Sequence, residues 1–306
     1  MRLIRWFSLL ASLAYGTDCF AVGEKLLDAI MRSDFIFDRT VSNVPFFPLG
    51  FLDYSNQNSL EVADGCETAS GCEFRYQNVS QALALPVWVG QKHMFLLGET
   101  LEMDRFTRGN ETITVNSGGL LGAWAMQPNK QWQVGAFLYG YRNIGNDKYS
   151  NLSSGTYSGA VARYRHSPHF HSYLGLVRFN NARQTLLFPY LGFDWYLDTR
   201  WSISAIMPWP TLNYAPSTST LIRFGALYSS SNWASGDDAN VDMVSFGQWD
   251  FGLSYEQKLY KTWWGALTVG QSGFGKLVLE SDGSPDFESD IDSSPFVKLS
   301  INFRPE

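Results

Sequence analysis

Apolar and polar residues alternate along several segments of this chain, most clearly between residues 246 and 259. There, Trp249, Phe251 and Leu253 alternate with Asp250 and other polar or small residues. Because successive side chains of a strand point to opposite faces, this pattern predicts a strand with one apolar and one polar face. The same alternation recurs at 131–139, 190–197, 221–228 and 295–303.

The predicted strands are too long for an ordinary soluble sheet. They run about ten to fifteen residues, whereas soluble strands are usually about five or six and tilted membrane strands need about nine to eleven. After residue 21 the chain has no run of apolar residues long enough for a membrane-spanning helix, which excludes a helical membrane protein. The sequence therefore predicts an all-β fold, a transmembrane antiparallel up-and-down β-barrel.

The composition supports a membrane location. Aromatic residues make up 16% and charged residues 17% of the chain, whereas soluble domains average about 25% charged residues. Membrane barrels carry aromatic girdles and keep charge off the wall that faces lipid. We therefore expect outer-membrane lipids around the barrel. The mildly acidic net charge of −6 gives no reason to expect a nucleic acid partner.

Turn signals divide the barrel into hairpins. Short segments rich in Pro, Gly, Asn and charged residues recur at 90–92, 127–130, 167–169, 197–200, 215–217 and 260–262. Longer connections lie at 143–156, 230–242 and 280–293, which fits short periplasmic turns and long outer loops. The alternation falters at 208–210 and at 273–275, where the chain either bends or turns. We expect about twelve strands, within a range of ten to fourteen.

The N-terminus is typical of a secretory signal peptide. Arg2 and Arg5 precede an apolar run of signal length, and cleavage fits after Gly16 or after Ala21. We take 1–21 as the signal peptide, 22–43 as a periplasmic extension and 44–303 as the barrel. Export of this kind predicts the outer membrane of a Gram-negative envelope.

Cys66 and Cys72 lie six positions apart in a segment rich in Gly, Ser and Glu. In an oxidising compartment such a pair most simply forms a disulfide that closes a small loop. A metal site is the weaker interpretation because no further ligand stands nearby. We expect no metal and no cofactor.

The C-terminal segment alternates Val297, Leu299, Ile301 and Phe303. It resembles the C-terminal signal by which the barrel assembly machinery recognises its substrates, with Phe303 as the terminal aromatic. Residues 304–306 follow that aromatic, which departs from the pattern.

The segment at 189–203, followed by 208–214, combines aromatic, Gly-x-Asp and Pro-x-Pro positions. This pattern resembles a family of uncharacterised bacterial outer-membrane barrels, classed as a domain of unknown function. The resemblance implies a barrel and carries no assigned substrate or active site.

The polar face of the strands sends charges of both signs into the predicted lumen. These are Arg163, Arg165, Asp194, Arg223, Asp250, Glu256, Lys258 and Lys298. Such charges either pair and fill a closed structural or surface-interaction barrel, or line a narrow, porin-like pore that takes a small solute as ligand. The sequence leaves both functions open.

A lipid hydrolase ranks third, on the histidines of the segment 165–172. Nucleophilic catalysis needs a Ser within hydrogen-bond reach of an oriented His. Neighbouring strand residues face opposite ways, so His171 and Ser172 cannot pair in this manner. We therefore expect no enzyme activity and no catalytic residue.

Overall fold

The structure is a computed structural model, and it describes residues 32–35, 41–62, 73–145, 150–151, 153–181, 185–206, 209–235, 243–281 and 284–304. The predicted signal peptide and both Cys66 and Cys72 lie outside the described residues. Among the described residues, no helix is long and apolar enough to cross a membrane.

The described chain is built of antiparallel strands. They are β1 Gly50–Glu61, β2 Glu73–Val89, β3 His93–Arg108, β4 Glu111–Met126, β5 Trp132–Gly145, β6 Ser150–Asn151, β7 Ser153–Ser167, β8 Phe170–Asn181, β9 Thr185–Tyr196, β10 Trp201–Ile206, β11 Trp209–Ser217, β12 Thr220–Ser235, β13 Met243–Tyr260, β14 Trp263–Ser281, β15 Ser284–Ile291 and β16 Pro295–Phe303.

Pairing between the first and last strands closes the sheet into a barrel. β1 pairs with β16 from Gly50 and Phe303 onward, and β14 pairs with the other edge of β16. In the described chain, fourteen strands form the ring, while the short β6 pairs with β12 and β15 pairs with the outer half of β14. The expectation of about twelve strands is therefore wrong by one hairpin, although fourteen falls at the top of the expected range.

Two local features explain the missing hairpin. β1 carries polar residues on both faces over 55–59, which hides the alternation. β10 ends at Ile206 and β11 begins at Trp209 and pairs with it in the antiparallel sense, so that two short strands replace one interrupted strand. In contrast, Phe274 lies at a bend inside β14, where its φ of 52° accompanies a shift in the pairing with β13.

The short turns gather at the end of the barrel where β1 begins and β16 ends. Five of the six predicted turns fall between consecutive strands at this end, and the sixth lies just beyond its expected place because β11 continues to Ser217. Short turns are typical of the periplasmic side, so we call this the periplasmic end.

The outer face of the ring is apolar and open. Leu120 is 72% exposed and Leu97 58% exposed. Large apolar side chains are exposed in this way on the barrel face that contacts lipid. Exposed Trp and Tyr side chains lie at the periplasmic ends of the strands, and these are Trp88, Trp132, Trp195, Trp201, Tyr260 and Trp263. An apolar band with an aromatic girdle is the surface of a membrane-spanning barrel.

Residues 41–49, which we name the strap, lie in the periplasmic mouth before β1. The backbone N–H of Asn43 donates to the carbonyl of Thr199, 2.7 Å away, and its side chain donates to the carbonyl of Ala215. Val44 packs against the buried cluster of Ala215, Leu221 and Trp264. The strap therefore runs from the β9–β11 side of the mouth to the start of β1.

Candidate functional site

The lumen is filled on the side of β1–β3 and β12–β16. At its extracellular end, Leu60, Tyr76, Phe246 and Ile291 are buried and form one apolar cluster. Phe106 stacks on Tyr76 with ring centroids 5.0 Å apart. This cluster closes the extracellular end of that half of the barrel.

Carboxylates lie directly below the apolar cluster. Asp104 accepts a hydrogen bond from the hydroxyl of Tyr76 at 2.7 Å and another from Asn78 at 2.8 Å. Asn78 also donates to Glu102, 2.7 Å away. Asp250 accepts from Ser229 at 2.7 Å. Polar side chains of β2, β3, β12 and β13 thus occupy the middle of this half.

Three ion pairs lie nearer the periplasmic end, and two of them share Glu256. Lys298 contacts Asp53 at 2.5 Å. Glu256 contacts Arg304 at 2.5 Å and Arg223 at 3.3 Å, one oxygen to each. Arg304 also donates to the carbonyl of Phe46, so that the residue just after the last strand holds the strap in the mouth.

The outer part of β12 divides the lumen. It contacts β5 and β7, and its residues Ala234 and Ser235 pair with β6. The side chain of Asn143 on β5 donates to the carbonyl of Asn232, 2.7 Å away. Beyond this contact lies a second half of the lumen, lined by β5, β7, β8 and β9.

Cross-strand rows on β5, β7, β8 and β9 describe the second half from the periplasmic end outward. The strand registers give the rows Gln133–Arg163–Tyr173–Gly192, Gly135–Val161–Gly175–Tyr190, Phe137–Gly159–Val177–Phe188 and Tyr139–Tyr157–Phe179–Leu186. We name the last two the apolar rows. The lining thus changes from a row with Arg163, through a row with two glycines, to the apolar rows.

A cavity of about 410 Å³ lies at the periplasmic end of this second half. The strap forms one wall, and β4, β5, β7, β8 and β9 form the other. The cavity is open where the wall carries the smaller residues Ala125, Gly135 and Val161. Its polar groups come from Arg163 and Tyr173. A volume of this size lies within the range of small-molecule sites.

Three of the eight predicted lumen charges lie in the second half. Arg163 donates to Gln133 at 2.8 Å and contacts a ring nitrogen of His171 at 3.0 Å. Asp194 accepts from the hydroxyl of Tyr173 at 2.5 Å. Arg165 lies in the next row toward the periplasm, opposite His171.

The other five predicted charges lie in the filled half. Asp250, Glu256, Arg223 and Lys298 make the contacts given above, and Lys258 lies opposite the buried Trp264 in the pairing of β13 with β14. Of the eight, only Arg223 and Glu256 form a salt bridge with each other among the described residues.

Sequence reasoning missed several lumenal residues. Glu102 and Asp104 belong to β3, whose periplasmic half is apolar on both faces and therefore hides the alternation. Asp53 lies on the polar β1. Arg304 follows the terminal aromatic, and only its departure from the expected ending could have drawn attention to it.

A His and Ser pair does exist, at another place than the one weighed from the sequence. His166 and Ser172 lie 2.9 Å apart on the outer face near the periplasmic end. In the described part of the chain, the other ring contacts of His166 are with Tyr164 and Phe170, and neither is acidic. Among the described residues, these contacts of His166 include no acidic group of the kind that orients the histidine of a hydrolase. No three His, Cys, Asp or Glu side chains within the described ranges are grouped to hold a metal.

Phe303 ends β16 on the outer face, with its ring 5.5 Å from that of Trp263. Its role as an assembly signal stays a prediction.

No protein family matches this chain, and no curated protein matches it. Similar solved structures are outer-membrane β-barrels. A Pseudomonas aeruginosa FadL homologue is 11% identical with a TM-score of 0.47, and the match covers 84% of this chain and 90% of that one. A deltaS2S3 mutant of TodX, described as a monoaromatic hydrocarbon channel, is 7% identical with a TM-score of 0.48 over 83% and 89%. LpxR from Salmonella typhimurium is 9% identical with a TM-score of 0.38 over 83% and 100%. The pairing that closes the sheet, the exposed apolar band and the aromatic girdle identify the chain itself as a closed β-barrel of the membrane-spanning type.

Proposed function

We propose that this barrel is a narrow pore for small solutes. The observation that carries the proposal is the cavity of about 410 Å³ between the strap and the second half of the lumen. Ion pairs and an apolar cluster fill the first half, so a solute would cross on the side of β5–β9.

The lining suits passage better than permanent filling. Gly135 lines the cavity at the level above Arg163, where a larger side chain would take up part of the space. The strap narrows the periplasmic mouth, and its contacts with Thr199 and Arg304 set the width of the exit.

The test is to fill the cavity with a large side chain attached to its wall. Ala125 lines the cavity, whereas Ala136 on the neighbouring β5 lies on the outer face, opposite Trp124. Ala125→Trp should slow the swelling of proteoliposomes in small uncharged sugars at least several-fold. The matched control, Ala136→Trp, should leave the swelling rate unchanged.

Each variant is first shown to fold by its altered gel migration without boiling. Swelling that is equal in the wild type and in Ala125→Trp would place the solute path elsewhere. A wild type that gives no swelling and no channel conductance would favour the alternative, a closed structural barrel with an ion-paired lumen.

A further inference from the structure

We propose that the barrel wall has a side entrance between β9 and β12, through which small uncharged apolar molecules pass from the membrane into the lumen. The proposal rests on the pore function above and deepens it by naming the solute class and its route.

The wall is low at one place. β10 has six residues and β11 has nine, whereas the neighbouring β12 has sixteen. A strand tilted by about 40° rises about 2.5 Å per residue along the barrel axis. β10 therefore rises about 15 Å and β11 about 22 Å, so that the wall is lowest at β10, whereas the apolar band of a membrane barrel is about 25 Å tall.

Two glycines mark the upper end of this hairpin. A Cβ atom at Gly192 would lie 2.8 Å from the carbonyl oxygen of Ala205, and one at Gly225 would lie 2.9 Å from that of Pro210. β9 and β12 thus press closely against the hairpin there. Farther out, residues 185–191 of β9 and 226–233 of β12 border the side entrance.

The outer part of β12 leans away from β9. It lies against β5 and β7, where Asn232 accepts the hydrogen bond from Asn143. β9 in turn follows β8, with which it pairs from Asn180 and Thr185 onward. The two borders of the side entrance therefore belong to two different parts of the sheet.

The side entrance opens at the depth of the hydrocarbon layer. On the outer face beside it, Leu174 and Leu176 of β8 and Phe224 of β12 are each more than half exposed. Leu191 of β9 lies next to Leu174 in the sheet and is 51% exposed. Apolar side chains at this level belong in contact with lipid, so the opening faces lipid rather than water.

The lumenal side of the entrance is apolar as well. Leu186 and Phe188 point to the lumen and Leu187 to the outside, yet all three are at least 40% exposed. A wall between lipid and water would alternate in polarity here. Because β9 is largely apolar on both faces over 185–191, apolar molecules can pass along this edge without meeting a polar surface.

The apolar rows behind the entrance define the solute class. Their eight residues carry no charge, and the rings of Tyr157 and Phe179 lie 4.7 Å apart. The only polar groups of their side chains are the hydroxyls of Tyr139 and Tyr157. Such a surface binds small uncharged molecules with apolar or aromatic parts and excludes ions. The row of Val161 and Tyr190 lies between the apolar rows and the cavity, which Val161 lines.

The test uses an uncharged photoreactive probe, trifluoromethyl-phenyl-diazirine, in proteoliposomes. After illumination, peptide mass spectrometry locates its adducts. We expect adducts on the outer face at Phe251 and Leu253 and, in addition, on the exposed lumenal residues Leu186 and Phe188.

A longer hairpin should close the entrance. Three residues of strand-forming sequence inserted after Ile206 and three before Trp209 extend β10 and β11 along both borders. This variant should lose at least about nine-tenths of the lumenal adducts and keep those on the outer face. The matched control carries the same insertions on either side of Gly109 and Asn110, where β3 and β4 already pair to their ends, and should keep both sets.

Swelling in small sugars, measured on the same vesicles, separates this inference from the pore function. Lumenal adducts that persist in the long-hairpin variant, or that are absent from the wild type while swelling is normal, would overturn the side entrance and leave the pore. Lumenal adducts that depend on the hairpin, in vesicles that do not swell, would support the entrance and overturn the pore. Should the long hairpin misfold, a photoreactive benzoylphenylalanine at Phe188 should attach to lipid while one at Phe137 should not, and equal yields at both would overturn the entrance.

Discussion

Replacing Arg304 by alanine should destabilise the barrel strongly, because the change leaves a buried carboxylate with half its partners. The side chains of Arg304 and Glu256 are 2% and 3% exposed. Removing one partner of a buried ion pair typically costs about 3–5 kcal/mol. Since Arg223 remains 3.3 Å from the other oxygen of Glu256, we expect a loss near the lower end, about 3 kcal/mol.

The assay is the free energy of unfolding in urea, followed by tryptophan fluorescence in lipid vesicles. The matched control breaks an exposed pair, since Lys276 and Glu288 have side chains 57% and 46% exposed. Lys276→Ala should lower the free energy of unfolding far less than Arg304→Ala, because water already solvates both members of this pair. Adding Glu256→Gln to Arg304→Ala should restore part of the loss, because no uncompensated buried charge then remains.

Equal losses for Arg304→Ala and Lys276→Ala would refute the reasoning from burial. A double variant less stable than Arg304→Ala would refute it too, because removing the charge of Glu256 should relieve the defect.

Three further predictions address the wall, the outer loop and a turn. Leu253→Arg should lower the free energy of unfolding by about 2–4 kcal/mol, because it places a charge on the lipid-facing side near the membrane centre; urea unfolding measures this loss. Mass spectrometry without reduction should find Cys66 and Cys72 joined, and two thiols free for alkylation would contradict this. Hydrogen bonds from the backbone of Trp201, and then of the residue before it, lower the pKa of Asp198 below its ordinary 3.8. The stabilisation of this turn is therefore present above that pH and lost as the pH falls through the lowered pKa, so hydrogen exchange of the Trp201 amide should accelerate there.

The barrel could be predicted from the sequence because a strand between lipid and a polar lumen needs apolar and polar residues in alternation, and this pattern lies within each strand. The polarity of each side chain of β13 matches the medium that it contacts. The faces of Leu253 and Asp250 can therefore be assigned from β13 alone, without the neighbouring strands. Turn residues are local as well, which is why the periplasmic turns could be placed. The alternation failed for β1, where both faces are polar, and for 185–191 of β9, where both faces are largely apolar.

The lumen could be predicted only in part, because contacts across it depend on the overall shape of the ring. Parity along a strand places Glu256 on the polar face, but its partner Arg304 lies beyond the last strand. The strap has no periodic pattern that would place it in the mouth. The contact of β12 with Asn143, which divides the lumen, joins residues 89 positions apart, and no local pattern predicts it.

The central claim is that the outer face of this ring meets lipid while the alternate residues face the lumen. It is tested most directly by fluorophores attached to single cysteines on β13, in a protein whose native cysteines are replaced by serine and whose vesicles contain brominated lipid. The account predicts strong quenching of labels at Phe251 and Leu253 and weak quenching at Asp250 and Ser254. Equal quenching at all four positions, or the reverse order, would contradict it.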